Sequence, residues 1–148
     1  MDVGTNAEVV LGNREWLMGC AGAAGPALEG GVTRFGMAAA EGVIDRVRLD
    51  DASGEIVHHT IADRPPRGIC GSGLIDLAAV LFRAGMVDIR GRLVPSRCGG
   101  RLRTIDDLAH LVVVPAAETQ TGEDLMISQA DIDSLIRSKA AMYTILET

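Results

Sequence analysis

Three features of this 148-residue chain point to an α/β fold with a mixed β-sheet. Strand-like apolar runs open it, helical periodicity comes later, and further strand-like runs lie among the helices. The composition can also supply a core: 47% of residues are apolar and only 3% aromatic, so Val, Ile, Leu, Ala and Met must fill it. A chain of this length is one domain and buries ~70% of its unfolded surface. Eighteen glycines, several in pairs, imply sharp turns or close backbone approaches.

Taken in order, residues 7–20, AEVVLGNREWLMGC, predict an antiparallel hairpin of the central sheet, turning at Gly12-Asn13-Arg14. The Asp2–Asn6 loop is expected at its edge. Trp16-Leu17-Met18 is too uniformly apolar to be half-exposed, so burial is expected there. AGAAGPALEGGVTRFG follows as a small-residue loop, with a short helix from about Pro26 to Glu29 ended by Gly30-Gly31. VIDRVRLDDASGEIVHHTIA predicts a second hairpin turning over Asp50 to Gly54. After the rigid RPPRG, the run ICGSGLIDLAAVLFRAGMVD sets Leu74, Leu77, Ala78 and Leu81 at helical spacing, with Gly85 as C-cap. Ile89 to Thr104 holds five arginines and is expected to be a surface loop. LVVVPA predicts a buried strand. ISQADIDSLIRSKAAMYTILET is the clearest helix: Ser128 and Asp131 resemble a capping box, and Ile132, Leu135, Ile136, Tyr143 and Leu146 lie roughly on one face.

Charge and cysteine usage narrow the function. Fourteen basic residues against 20 acidic ones leave a net charge of -6, which argues against a nucleic-acid partner. With no signal peptide and no apolar run of spanning length, the chain is expected to be soluble and cytoplasmic, with no membrane partner. Cys20, Cys70 and Cys98 are odd in number, widely spaced and without a CxxC pair. They predict free thiols rather than a disulfide framework or a metal site.

Two glycine-containing stretches carry candidate chemistry. In DVGTN, Gly4 allows close backbone approach to an anion, and Thr5 and Asn6 add donors. Asp2 is wrong for gripping phosphate directly but suits a water-bridged Mg²⁺. The same residues also suit a plain turn. In GICGSGLID, Gly71, Ser72 and Gly73 open a helix whose N-terminal N–H groups accept an anion. Alternatively Ser72 caps the helix while the glycines allow close packing. Glu29 suits water positioning, a partner contact or a solvated helix end. Cys70 reads as a small buried thiol. His58 and His59 point to opposite faces of a strand, which disfavours one metal site, and His110 is isolated.

Six stretches in one order give these motifs a common source: DVGTN, EVVLGN, GPALEGG, GMAAAEGVIDRV, GICGSGLID and ISQADIDSLIRSKAAM. Together they resemble the C-terminal part of the reductive activators of corrinoid proteins, within the acetate and sugar kinase, heat-shock chaperone and actin superfamily. The likeness covers nearly the whole chain. Ala38 and Glu41 depart from the arginine and proline usual in the family, and Ser128 keeps the hydroxyl of its threonine.

The resemblance implies one lobe of an actin-like, ribonuclease H-like ATPase domain. The chain is expected to be a fragment, without the family's ferredoxin-like [2Fe–2S] domain, its first lobe and its adenosine-side glycine loop. The parent would return a Co(II) corrinoid protein to Co(I), coupling ATP hydrolysis to electron transfer from the iron–sulfur domain. Asp2 would then serve catalysis and Mg²⁺, while Gly4, Thr5, Asn6 and Gly71 to Gly73 would bind phosphate. The isolated chain would be inactive as an ATPase and would self-associate through the face its first lobe should cover. Two other readings stand beside it: a non-catalytic lobe that docks a corrinoid or other metalloprotein and uses its phosphate loop poorly or not at all, and part of a sugar or acyl kinase that shares the loop.

Overall fold

The computed structural model describes residues 2–3, 6–23, 33–50 and 52–147, without the side chains of Val3, Ile145 and Leu146. The expected helix from Pro26 to Glu29 lies outside the described residues. The α/β architecture is as predicted, but the strands divide into three small sheets instead of one.

The first sheet is antiparallel and runs β1 (Asp2–Val3), β2 (Asn6–Gly12) and β3 (Leu17–Ala23), with β2 in the middle. The hairpin is thus real, but it belongs to its own sheet, with Asp2 and Val3 as an edge strand. Asn13 shapes its turn. The Asn13 Oδ1 accepts the N–H groups of Glu15 at 2.8 Å and Trp16 at 3.2 Å, and the Asn13 N–H donates to the Trp16 carbonyl at 2.9 Å. Gly12 is required beside it, because a Cβ there would run into that carbonyl.

The expected burial of Trp16-Leu17-Met18 is overturned: these residues are 49%, 77% and 58% exposed. Burial in the hairpin is confined to the end remote from the turn, at Ala7, with Val9 and Gly22 half-buried. Apolar content therefore does not report burial here, because no described element covers the distal half.

The second sheet sets β4 (Val43–Leu49) between antiparallel β5 (Ile56–Thr60) and parallel β6 (Gly68–Ile69). The β4–β5 turn closes where predicted: the Asp50 N–H donates to the Glu55 carbonyl at 2.8 Å, and the Gly54 N–H to the Asp50 carbonyl at 2.7 Å. Helix α1 (Gly71–Arg83) packs on β4. Its end matches the expected C-cap: Gly85 sits at φ 68°, and the Met86 N–H reaches back to the Leu81 carbonyl at 2.9 Å.

The arginine-rich segment is not simply a surface loop. It contains α2 (Pro95–Cys98) and leads into β7 (Leu102–Ile105), and Leu93 and Cys98 are core residues. Two apolar anchors among five arginines hold it down; burial also pushes the Cys98 thiol pKa up. The third sheet is the antiparallel meander β7, β8 (Leu108–Val114) and β9 (Leu125–Ser128). Leu111 to Val114 are buried, as LVVVPA predicts.

Helix α3 (Gln129–Glu147) starts at the predicted capping box. The Ser128 N–H donates to Asp131 Oδ2 at 2.8 Å, and the Asp131 N–H donates to Ser128 Oγ at 3.1 Å. Its expected apolar face is only partly used. Ile132 is buried and Leu135 half-buried, whereas Ile136 and Tyr143 are exposed. One core, including Ile44, Leu74, Leu77, Leu81, Leu111 and Ile127, joins the second and third sheets to the helices. None of the described helices is long and apolar enough to cross a membrane.

Candidate functional site

Strand pairing gathers the first group of candidate residues. Asp2 on β1 lies directly opposite Glu8 on β2. Residues opposite each other in an antiparallel pair share a face, and so do residues two apart on one strand. Asp2, Asn6 and Glu8 therefore project from one face of the first sheet, and all three are exposed. The neighbouring Ala7, on the other face, is buried. The face thus gathers two carboxylates and an amide, all oxygen donors of the kind a hydrated Mg²⁺ accepts.

Glu8 is the residue the sequence did not single out. Its membership depends on β1 folding back along β2 in this register, and the only sequence signal is Asp2, a short gap and then an acidic residue within a strand-like run. Gly4, Thr5 and Glu29 lie outside the described residues.

The other candidate stretch is the N-terminus of α1, which belongs to the second sheet and packs on β4. Its three residues do different things. Gly73 is where the helix meets β4: a Cβ there would collide with the Ile44 carbonyl and come within 2.8 Å of the Ile69 side chain. The packing alternative therefore holds for Gly73. Ser72 is not the cap. Cys70 occupies that position, and the Ser72 hydroxyl donates to the Asp45 carbonyl at 3.0 Å, tying the first turn to β4. The first turn carries neither a capping side chain nor an acidic residue, so the positive end of the helix dipole is uncompensated there.

Beside this turn, β4 and β5 hold an acid–imidazole pair. His59 Nδ1 lies 2.6 Å from Asp45 Oδ1, and its Nε2 is 3.7 Å from Asp63. The hydrogen bond from His59 holds the Asp45 carboxyl below its usual range. His58 faces the other way, as expected from strand alternation. It is half-buried, and burial lowers its pKa against a smaller opposing pull from Glu118.

The cysteines do not fit an iron–sulfur cluster. Cys20 is exposed on β3, while Cys70 and Cys98 are buried at the start of α1 and in α2. Among the described residues, no three His, Cys, Asp or Glu side chains converge.

Three comparisons show which proteins the chain is similar to. The corrinoid activation enzyme RamQ of Eubacterium limosum is 33% identical over 156 residues, covering 97% of this chain and 25% of RamQ. A solved structure of a reductive activator for corrinoid, iron–sulfur protein superposes with a TM-score of 0.89 at 43% identity, covering 98% of this chain and 23% of the other. The chain thus spans about a quarter of the length of these relatives. Residues 1–148 match the family described as the C-terminal domain of RACo, the ASKHA domain. With its whole length matched and its fold shared, this chain belongs to the family of RACo C-terminal ASKHA domains.

Proposed function

We propose that this chain forms one lobe of the ATP-binding part of a reductive activator acting on a corrinoid protein in the cytoplasm. The observation that carries the reading is the shared face of Asp2, Asn6 and Glu8, within a chain matched over its whole length to the family. Asp2 and Glu8 fit a role holding water ligands of Mg²⁺, and the Asn6 amide a role donating to phosphate oxygen. Gly4 and Thr5 complete the phosphate loop, and the first turn of α1 offers N–H groups to an anion. Glu29 is assigned to water positioning or a partner contact. Bound Mg²⁺–ATP supplies hydrolysis free energy to the uphill return of Co(II) corrinoid to Co(I).

The electron source on this reading is a [2Fe–2S] domain elsewhere in the parent protein. The nucleotide lies between this lobe and a first lobe of the same parent, and closure of the two excludes water. Phosphoryl transfer depends on positioned donors and charge, so half a site forfeits most of the rate. One oriented donor is worth ~3 kcal/mol. The isolated chain is therefore expected to bind nucleotide weakly and not to turn it over. The exposed Leu11, Leu17 and Met18 support self-association of the isolated chain.

The test is steady-state phosphate release from the purified chain beside Asp2→Asn. Release at the blank level from both is expected. Release well above blank from the wild type, abolished in Asp2→Asn, would make the chain a complete enzyme and overturn the half-site reading.

A further inference from the structure

An apolar trough of about 540 Å³ lies where one face of α1 meets one face of α3. Ile75, Ala78, Ala79 and Phe82 line it from α1, and Ile132, Leu135, Ile136 and Lys139 from α3. Both sets follow i, i+3, i+4, i+7, so two helical stripes face one space. Ile75 is 50% exposed and Phe82 54%, and no described element fills the space between the stripes. The two alanines deepen it at the α1 side.

One end of the trough is a built turn. Ile89, 88% exposed, lines it beside Arg90. The Asp88 carboxylate accepts the N–H groups of Arg90 at 2.9 Å and Arg92 at 2.8 Å. From α3, the Gln129 amide donates to the Gly91 carbonyl at 2.7 Å and accepts the Leu93 N–H at 2.9 Å. The turn is thereby pinned to the helix, so Ile89 and Arg90 are presented to solvent by a fixed backbone.

The charge around the trough runs against that of the molecule. The chain carries a net charge of -6, yet Lys139 lines the trough, Arg83 and Arg90 follow the lining Phe82 and Ile89 in sequence, and all three are exposed with no ion-pair partner among the described residues. Of the nearby acids, Asp133 is paired with Arg92 and held by Gln129, while Asp88 lines the trough with its Oδ1 turned into its own turn, leaving three cations against one carboxylate.

We infer that the trough is a docking site for an amphipathic helix with acidic flanks, supplied by a partner protein. Two stripes at helical spacing present ridges and a groove that a third helix can enter. A stripe spanning eight residues matches about two turns of the occupant. Acidic residues beside its apolar stripe would meet Arg83, Arg90 and Lys139, adding steering and specificity to the apolar contact. A flat membrane surface does not fit a concave space. Neither Asp2 nor Asn6 lines the trough, so its occupant is independent of the nucleotide reading.

The probe is a fluorescein-labelled 18-residue helical peptide with leucines at i, i+3, i+4 and i+7 and glutamates on both flanks, titrated with the full chain by anisotropy. Saturable binding is expected, at least tenfold tighter than for the same peptide with lysine flanks. The Arg90→Glu/Lys139→Glu double variant changes only exposed positions, so a retained thermal melt is expected. It should bind the acidic peptide at least tenfold more weakly and reverse the preference. Ala79→Trp should fill the trough and remove binding of both peptides. Equal binding of the two peptides, no binding of either, or unchanged binding by the double variant would overturn the inference. So would a dimer by sedimentation that Ala79→Trp dissolves, or saturable binding to anionic vesicles lost in the same variants.

Discussion

The β2–β3 hairpin and the α1–β4 unit have similarly apolar sequences and opposite environments. Leu74, Leu77 and Leu81 of α1 are at most 1% exposed, whereas Val10, Leu11 and Leu17 of the hairpin are all above 60%. The α1–β4 contact is specified by residues within the chain, down to a Gly73 whose missing Cβ admits the Ile44 carbonyl. The hairpin is specified locally by its turn; helix α3 touches β2 and β3, yet Val10, Leu11 and Leu17 stay exposed. Stability of this lobe thus belongs to α1, β4 and β8, while the hairpin's side chains are available for association.

That contrast can be broken most forcefully in the core. Leu77→Ala should cost 2–5 kcal/mol, about the usual range for a fully buried leucine. Leu17→Ser with Met18→Ser should change stability by no more than about 0.5 kcal/mol per site, as for ordinary surface positions. Urea denaturation reads both, and sedimentation of the hairpin variant should show weakened self-association. Equal costs at the two places would remove the distinction.

A smaller effect of opposite sign is expected at Thr33. Its residue is buried, and its Oγ1 has no hydrogen-bond partner among the described residues. Thr33 lines, with apolar Ile44, Leu74 and Leu77, a void of about 10 Å³ with little polar lining. An unsatisfied buried hydroxyl costs about 1–3 kcal/mol, so Thr33→Val should stabilise by about 1 kcal/mol. A lower urea midpoint would mean that the hydroxyl is satisfied in solution.

The gentlest lever is pH. Burial lowers the pKa of His58 below its unfolded value of 6.5, so the unfolded state binds more protons as pH falls below 6.5. Its contribution to stability is therefore present above 6.5 and is lost as pH falls through the folded pKa. His58→Gln should flatten the fall in urea midpoint between pH 7.5 and 5.5. An unchanged fall would assign the pH dependence to other groups.

Much of the fold was legible because local signals and tertiary structure agree. The capping box at Ser128, the Gly85 C-cap and the Asn13 turn each act over a few residues and survive whatever packs around them. What was missed depends on distant partners. Strand β6 is only two residues, and β7 hides its few apolar residues among arginines. β9 reads as the lead-in to a helix. Exposure of Trp16 to Met18 was illegible because an apolar run encodes a preference for a partner, not its presence. At the candidate site, Asp2 and Asn6 stand out from the loop chemistry. Glu8 joins them only once the β1–β2 register is known.

The central claim, that Asp2, Asn6 and Glu8 form one side of a Mg²⁺–phosphate site, is tested most directly by amide NMR of the ¹⁵N-labelled chain titrated with ADP, with and without Mg²⁺. The account predicts Mg²⁺-dependent shifts at Asn6 and Glu8 and at Gly71 to Gly73, lost in Asp2→Ala while the rest of the spectrum is retained. Shifts confined to other parts of the chain, or shifts at these residues that neither EDTA nor Asp2→Ala changes, would contradict it.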